Sequence, residues 1–117
     1  MPSYRHIDVQ EVGDVTVVRF RNGKIIEDTT IQELGQELFA LVDQEQRSKL
    51  LVDYVGVVFQ SAAFLGKLIT LERKVKGAGG VLRLCNMRAE VYEVLAITKL
   101  NRLFDVQVSE ADALATF

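Results

Sequence analysis

The sequence contains few of the residues that hold small proteins together through covalent bonds or metal ions. Among its 117 residues there is one cysteine, Cys85, one histidine, His6, and one proline, Pro2. A single cysteine excludes an intramolecular disulfide and is typical of proteins from a reducing compartment. A single histidine, with no second ligand type at metal spacing, predicts no metal site. Because 49% of the residues are apolar, we expect a fold held by its own core, without metal or cofactor.

The sequence also lacks long apolar runs and an excess of charge of one sign. Its longest apolar runs are far shorter than a membrane span, and residues 1–6 have no apolar segment of the kind found in secretory signals. The formal net charge is −2, with both signs spread along the chain, whereas nucleic-acid-binding proteins present a clustered basic face. We therefore expect one cytoplasmic domain spanning residues 1–117 that binds neither membranes nor nucleic acids.

Few residues qualify as catalytic. Cys85 closes an apolar strand without an activating neighbour in the sequence, and His6 lies near the start of the chain. A catalytic pair of Cys85 and His6, brought together by folding, is the one alternative left open. The glycine-rich stretch 77–80 precedes a strand, whereas a phosphate-binding loop precedes a helix. The sequence thus predicts a protein that is not an enzyme.

Hydrophobic periodicity predicts the element order ββαβαβαβα. The predicted strands cover residues 4–9, 15–20, 50–52 continuing through 55–59, 81–85 and 104–108. The first two form a hairpin with a turn at 11–14, and each later strand follows a helix, as in parallel βα units. We expect an α/β fold with a mixed β-sheet, an N-terminal hairpin and helices packed on the sheet.

Polar residues mark the predicted helix starts. Thr30 and Glu33 have the spacing of a capping box, with Thr30 as the N-cap. Asn86 is placed to cap a third helix, and Ser109 with Asp112 a short terminal helix. The outer side of the second helix carries four cations, which are Lys67, Arg73, Lys74 and Lys76. A solvated face explains these cations, and an acidic partner surface is the alternative.

Two stretches of the sequence resemble a known family. Residues 86–106 combine a strand ending in Asn86, a helix with the pattern V-x-x-V-L-x-x-T, and L-x-x-x-F-x-V before the last strand. Residues 50–66, from Asp53 through Phe59 to Gly66, are similar to the signature l-v-D-l…F-x-D-S-[ST]-G-L-G. The sequence therefore resembles the STAS family (sulphate transporter and anti-sigma factor antagonist domains), in its stand-alone bacterial antagonist form. The resemblance implies a STAS-like fold and a protein partner, an anti-sigma factor or kinase-like protein, in the regulation of transcription.

The loop before the second helix departs from the family signature. Aligned on Phe59 and Gly66, Ser61 takes the aspartate position, Ala63 the phosphoacceptor position and Phe64 the glycine position. Alanine has no oxygen that could accept a phosphoryl group, so the usual regulatory switch is absent at its usual place. The resemblance then implies a chain that stays permanently in the form that binds the anti-sigma factor.

These observations predict a partner-binding site on this loop and on the strand end before it. Its predicted members are Asp53, Gln60, Ser61, Ala62, Ala63 and Phe64. Ser61 is predicted to cap the second helix, and a phosphorylation site is the alternative. Phe64 is predicted to pack inward, with a partner anchor as the alternative, and Asp53 is either structural or partner-facing.

Two other functions stay open at this point. One is a scaffold or self-associating subunit of a larger signalling assembly, which the missing phosphoacceptor favours. The other is a module that senses a nucleotide or a small apolar ligand, although the sequence has no obvious phosphate-binding loop.

Overall fold

The computed structural model describes residues 4–117, in which strands and helices alternate after an initial hairpin. In chain order the elements are β1 (Ile7–Val12), β2 (Val15–Phe20), β3 (Lys24–Ile25), α1 (Asp28–Asp43), β4 (Lys49–Asp53), β5 (Phe59–Gln60), α2 (Ala62–Gly77), β6 (Val81–Cys85), α3 (Ala89–Ile97), a short 3-10 turn (Leu100–Arg102), β7 (Asp105–Gln107) and α4 (Glu110–Ala115). This order contains the predicted one and adds β3 and β5, which periodicity did not predict.

The main sheet has five strands in the order β1-β2-β4-β6-β7. β1 and β2 are antiparallel, whereas β2, β4, β6 and β7 pair in parallel with their neighbours. Gly13, with φ of +61°, supplies the left-handed backbone at the hairpin turn. β3 and β5 form a separate parallel ladder of two strands. The predicted mixed sheet, parallel in its later part, is confirmed.

Both faces of the sheet are covered by helices. The buried side of α1 carries apolar residues at helical spacing, which are Ile31, Leu34, Leu38, Leu41 and Val42. α2 packs beside α1 on the same face, and α4 covers the opposite face. The cluster under α4 consists of Val15, Val17, Leu51, Cys85 and Ala113. Since β4 lies between the two clusters, its side chains are apolar on both sides, which explains its unbroken apolar sequence.

The predicted start of the first helix is wrong. Thr30 lies inside the first turn of α1, which begins at Asp28 with Glu27 as its N-cap. The Ile31 N–H donates to the Glu27 carbonyl at 2.9 Å, so helical bonding is already established before Thr30 can cap it. No side chain provides a capping hydrogen bond at this end.

Of the two later predicted caps, one is wrong and one is confirmed. Asn86 adopts a left-handed backbone with φ of 55°, and its side chain donates to Asp53 instead of capping a helix. The N-cap of α3 is Arg88. Ser109 caps α4 as predicted, because its hydroxyl oxygen accepts the Asp112 N–H at 3.1 Å.

Three of the predicted strands also differ from the structure in their bounds. β1 begins at Ile7 instead of residue 4 and ends at Val12 instead of residue 9, because the hairpin ladder continues to the pair Val12 and Val15, so the predicted turn at 11–14 is confined to residues 13 and 14. The predicted strand over 55–59 is wrong: β4 ends at Asp53, and Gly56, with φ of +84°, turns the chain away from the sheet. The last strand is shorter than predicted and covers only Asp105–Gln107.

Within residues 4–117, no helix combines the length and apolarity needed to cross a membrane. The predicted lack of a secretory signal concerns residues 1–6, of which 1–3 lie outside the described part of the chain. A single domain over residues 1–117 remains a prediction.

Candidate functional site

The segment between β4 and α2 is a loop tied to the β3 segment by backbone hydrogen bonds. The Val58 N–H donates to the Gly23 carbonyl at 2.8 Å, and the Ser61 N–H donates to the Ile25 carbonyl at 2.9 Å. Gly56 provides the left-handed conformation that this loop requires at its turn. The loop and β3 therefore form one unit that leads into the N-terminus of α2.

This unit displays large apolar side chains to solvent. Ile26 is 49% exposed, Val55 53%, Val58 37% and Phe59 49%. We call these four side chains the apolar patch. An isolated exposed apolar residue is ordinary, but four within one loop and its paired segment are unusual enough to make this unit a candidate contact surface.

The first turn of α2 continues this surface with small residues. Ala62 and Ala63 are exposed, and Gly66 is exposed one turn later. Neither alanine carries a hydroxyl group, so neither can accept a phosphoryl group. The helix start presents backbone N–H groups beneath a small and uncharged surface.

Ser61 occupies the N-cap position of α2, as predicted, but its side chain does not cap the helix. Its carbonyl oxygen accepts the Phe64 N–H at 3.1 Å, while its hydroxyl makes no capping hydrogen bond. The hydroxyl oxygen is buried and has no hydrogen-bond partner among residues 4–117. The cap interpretation is therefore right about the position of Ser61 and wrong about its hydroxyl.

Asp53 is structural. Its side chain is buried, and Oδ1 accepts the Val55 N–H at 2.9 Å and the Asn86 amide at 3.0 Å. Oδ2 lies 3.5 Å from Arg19 Nε, and Arg19 also donates two hydrogen bonds to Glu110. Asp53 thus joins the ends of β4 and β6 to α4, so the partner-facing alternative for its side chain is wrong.

Gln60 and Phe64 also point inward. Gln60 is 4% exposed and accepts a hydrogen bond of 2.9 Å from the Tyr54 hydroxyl. Phe64 is fully buried, with its ring edge-on to Phe20 at a centroid distance of 5.7 Å. The inward packing predicted for Phe64 is observed, and the partner-anchor alternative is wrong because the ring lies in the core. These two residues support the loop from beneath.

The predicted site residues therefore divide into two groups. Ser61, Ala62 and Ala63 lie together at the start of α2, and their contact with a partner stays a prediction. The other three, Asp53, Gln60 and Phe64, are buried. The sequence does not indicate the apolar patch, because residues 55–59 resemble a buried strand. The glycine at position 56 was the one signal of a turn there.

Comparison with known proteins decides the family. Residues 6–113 match the STAS domain family. The chain belongs to the STAS domain family. Its fold is similar to that of a STAS domain protein from Planctomyces limnophilus, an anti-sigma-factor antagonist, with 25% identity, a TM-score of 0.85, and coverage of 94% of this chain and 96% of that chain.

Two further solved structures share the STAS fold at lower identity. An anti-sigma factor antagonist from Mycobacterium paratuberculosis has 23% identity and a TM-score of 0.81, with 94% of this chain and 91% of that chain covered. The Bacillus cell fate determinant SpoIIAA in its phosphorylated form has 14% identity and a TM-score of 0.71, with 94% of this chain and 97% of that chain covered. The predicted family and fold class are confirmed.

Cys85 and His6 do not form a catalytic pair in this STAS domain. Cys85 is fully buried under α4, and burial, reinforced by the Asp53 carboxylate, raises the pKa of its thiol to about 12. His6 contacts other residues, with Nε2 3.1 Å from Glu33 and Nδ1 3.4 Å from Asn22. Within residues 4–117, no group of three or more potential ligands is arranged to hold a metal ion.

The cations on α2 are mostly engaged within the STAS domain. Lys67 donates to Gln32 at 2.9 Å, Lys74 to Asp43 at 2.8 Å, and Lys76 lies 3.4 Å from Glu72, for which burial raises the carboxyl pKa. Among the four cations, Arg73 makes no ion pair with the described residues. These partners fit the solvated-face interpretation better than an acidic docking surface.

Proposed function

We propose that this STAS domain is a cytoplasmic, protein-binding regulator of the anti-sigma factor antagonist type. It binds a kinase-like anti-sigma factor, releases the sigma factor and thereby regulates transcription, without catalysing a reaction itself. The observation that carries the proposal is the apolar patch beside the start of α2, where Ser61, Ala62 and Ala63 lie.

The energy for binding comes from burial of the patch. Covering a half-exposed valine, isoleucine or phenylalanine side chain contributes about 1 kcal/mol, so the four together contribute about 4 kcal/mol. Because the loop is already held by hydrogen bonds, little conformational entropy is lost on binding. The small residues Ala62 and Ala63 let the backbone of a partner approach the helix start closely.

Ala63 gives this regulator a fixed state. SpoIIAA has been described in a phosphorylated and in an unphosphorylated form. A phosphoryl group adds about −1.5 to −2 of charge, which strongly changes a surface at a helix N-terminus. With alanine at the corresponding position of the family signature, this chain stays in the uncharged, binding-competent form, and its control lies in its amount or in its partner.

The test is calorimetric titration with each purified serine-kinase-type anti-sigma factor of the source genome. We expect the wild-type chain to bind one of them and Phe59→Ser to bind it about tenfold or more weakly, because the anchor ring is lost from the patch. Val108→Ser is the matched control, since Val108 is 84% exposed and lines a different groove. Equal losses for both variants would contradict the proposed contact surface.

Self-association is the second candidate, because the same patch can be buried against a second copy. Light scattering coupled to gel filtration separates the two. A complex that forms without any partner and dissociates in Phe59→Ser supports the scaffold function. A monomer over the full concentration range supports the antagonist.

A further inference from the structure

The hydrogen bond between Tyr54 and Gln60 closes the loop that carries most of the apolar patch. The Tyr54 hydroxyl donates to Gln60 Oε1 at 2.9 Å, and the two side chains are 0% and 4% exposed. These residues stand at the two ends of the segment that displays Val55, Val58 and Phe59. A bond between the ends of a segment fixes the path of the backbone between them.

Gln60 depends on this bond. Its Nε2 is buried and has no hydrogen-bond partner within residues 4–117, so the Tyr54 hydroxyl is its only side-chain partner there. A buried amide without any partner is costly, and exposure to water relieves that cost. Loss of the bond is therefore expected to draw Gln60, and β5 with it, away from the core. The Val58 and Ser61 N–H groups tie the segment to β3 at 2.8 and 2.9 Å, whereas the contact from the Phe59 N–H to the Gly23 carbonyl is long, at 3.4 Å, so the backbone resists this movement least at Phe59.

Tyr54 is itself firmly placed. Its ring lies edge-on to Phe20 at a centroid distance of 5.1 Å, and Phe20 also contacts Phe64. Burial raises the pKa of the Tyr54 phenol, so its hydroxyl remains a donor at ordinary pH. The donor is thus fixed by the core, and the acceptor belongs to the loop.

We propose that Tyr54 and Gln60 are positioning residues, which hold the apolar patch from beneath in its outward-facing conformation without touching the partner. Exposed apolar side chains otherwise gain free energy by turning toward the domain, so an outward display needs such support. The consequence for partner binding rests on the proposed function, whereas the positioning of the loop does not.

The test compares Tyr54→Phe with the wild type by amide hydrogen exchange in the free protein. The reporters are the N–H groups of Val57, Val58 and Ser61, which donate within the loop unit. We expect their exchange to accelerate about tenfold, and that of the β4 amides to change clearly less, because the bond acts locally. Tyr4→Phe is the matched control, since the Tyr4 hydroxyl is buried without a partner among the described residues. It is expected to leave the loop unchanged.

Two results would overturn the proposal. If loop and β4 amides accelerate by the same factor, Tyr54 contributes only to global stability. If the loop amides do not accelerate, the bond does not hold the loop. If exchange accelerates only at the loop amides of Tyr54→Phe while the affinity for the anti-sigma factor is unchanged, the positioning role of Tyr54 is supported. The same result would count against the apolar patch as the docking surface.

Discussion

Gly66 lies exposed in the interior of α2, where alanine is expected to stabilise the domain. A Cβ built at this position meets no atom within 4 Å outside its own helix backbone and chain neighbours. Glycine in a helix interior is about 1 kcal/mol less favourable than alanine, because it loses more backbone freedom on folding. For a domain of this size, that difference corresponds to about 4 °C in Tm. We expect Gly66→Ala to show this increase in thermal unfolding followed by circular dichroism.

Gly80→Ala is the contrasting control. A Cβ at Gly80 would lie 2.1 Å from the Ser48 carbonyl oxygen, which is backbone and cannot move aside cheaply. We expect this variant to lower the Tm, although the chemical change is the same. An unchanged or lower Tm for Gly66→Ala would refute the argument from helix propensity at this site.

The variant Gly66→Ala also tests the proposed contact surface. Gly66 follows Ala62 and Ala63 by one helical turn, so its added methyl group enters the surface on which a partner approaches α2. We expect Gly66→Ala to bind the anti-sigma factor more weakly while it unfolds at a higher temperature. An unchanged affinity would place Gly66 outside the contact area, and a parallel loss of stability and affinity would show that the methyl group disturbs the helix.

Two further predictions concern ionisation and modification. Burial raises the pKa of the Glu72 carboxyl and outweighs the nearby Lys76, which lowers it. The protonated Glu72 carboxyl therefore contributes fully to stability below its unfolded pKa of about 4.3, and this contribution is lost as the pH rises through the folded pKa. Glu72→Gln is therefore expected to raise the Tm near pH 7 but not near pH 3, and an equal shift at both would contradict this. Incubation with ATP and the partner kinase is expected to leave Ser61 unmodified, because its hydroxyl oxygen is buried; a phosphorylated Ser61 peptide in mass spectrometry would show otherwise.

Much of the sheet could be predicted because its strands are local apolar runs between turn residues. β2 (Val15–Phe20) and β6 (Val81–Cys85) have the bounds that the sequence predicts. The helix starts were harder to predict. A capping pattern such as that of Thr30 competes with helical bonding that begins earlier, and the outcome depends on where the chain leaves the preceding strand.

The apolar patch could not be predicted from the same kind of pattern. Val55, Val58 and Phe59 have the composition of a central strand, and nothing in their identity separates an exposed loop from a buried one. The difference arises from the turn at Gly56 and from hydrogen bonds to Gly23 in a distant part of the chain.

The sequence by itself determined the family, the order of the main elements and the absence of a hydroxyl at position 63, since these depend on residue identity and local periodicity. Only the tertiary structure decided which side chains of the predicted site are buried and which are exposed. Gln60 turns inward because it accepts a hydrogen bond from the buried Tyr54 hydroxyl, and Phe64 turns inward because its ring packs edge-on against Phe20. Burial of a side chain is a property of packing between segments far apart in the chain, and no local pattern contains it.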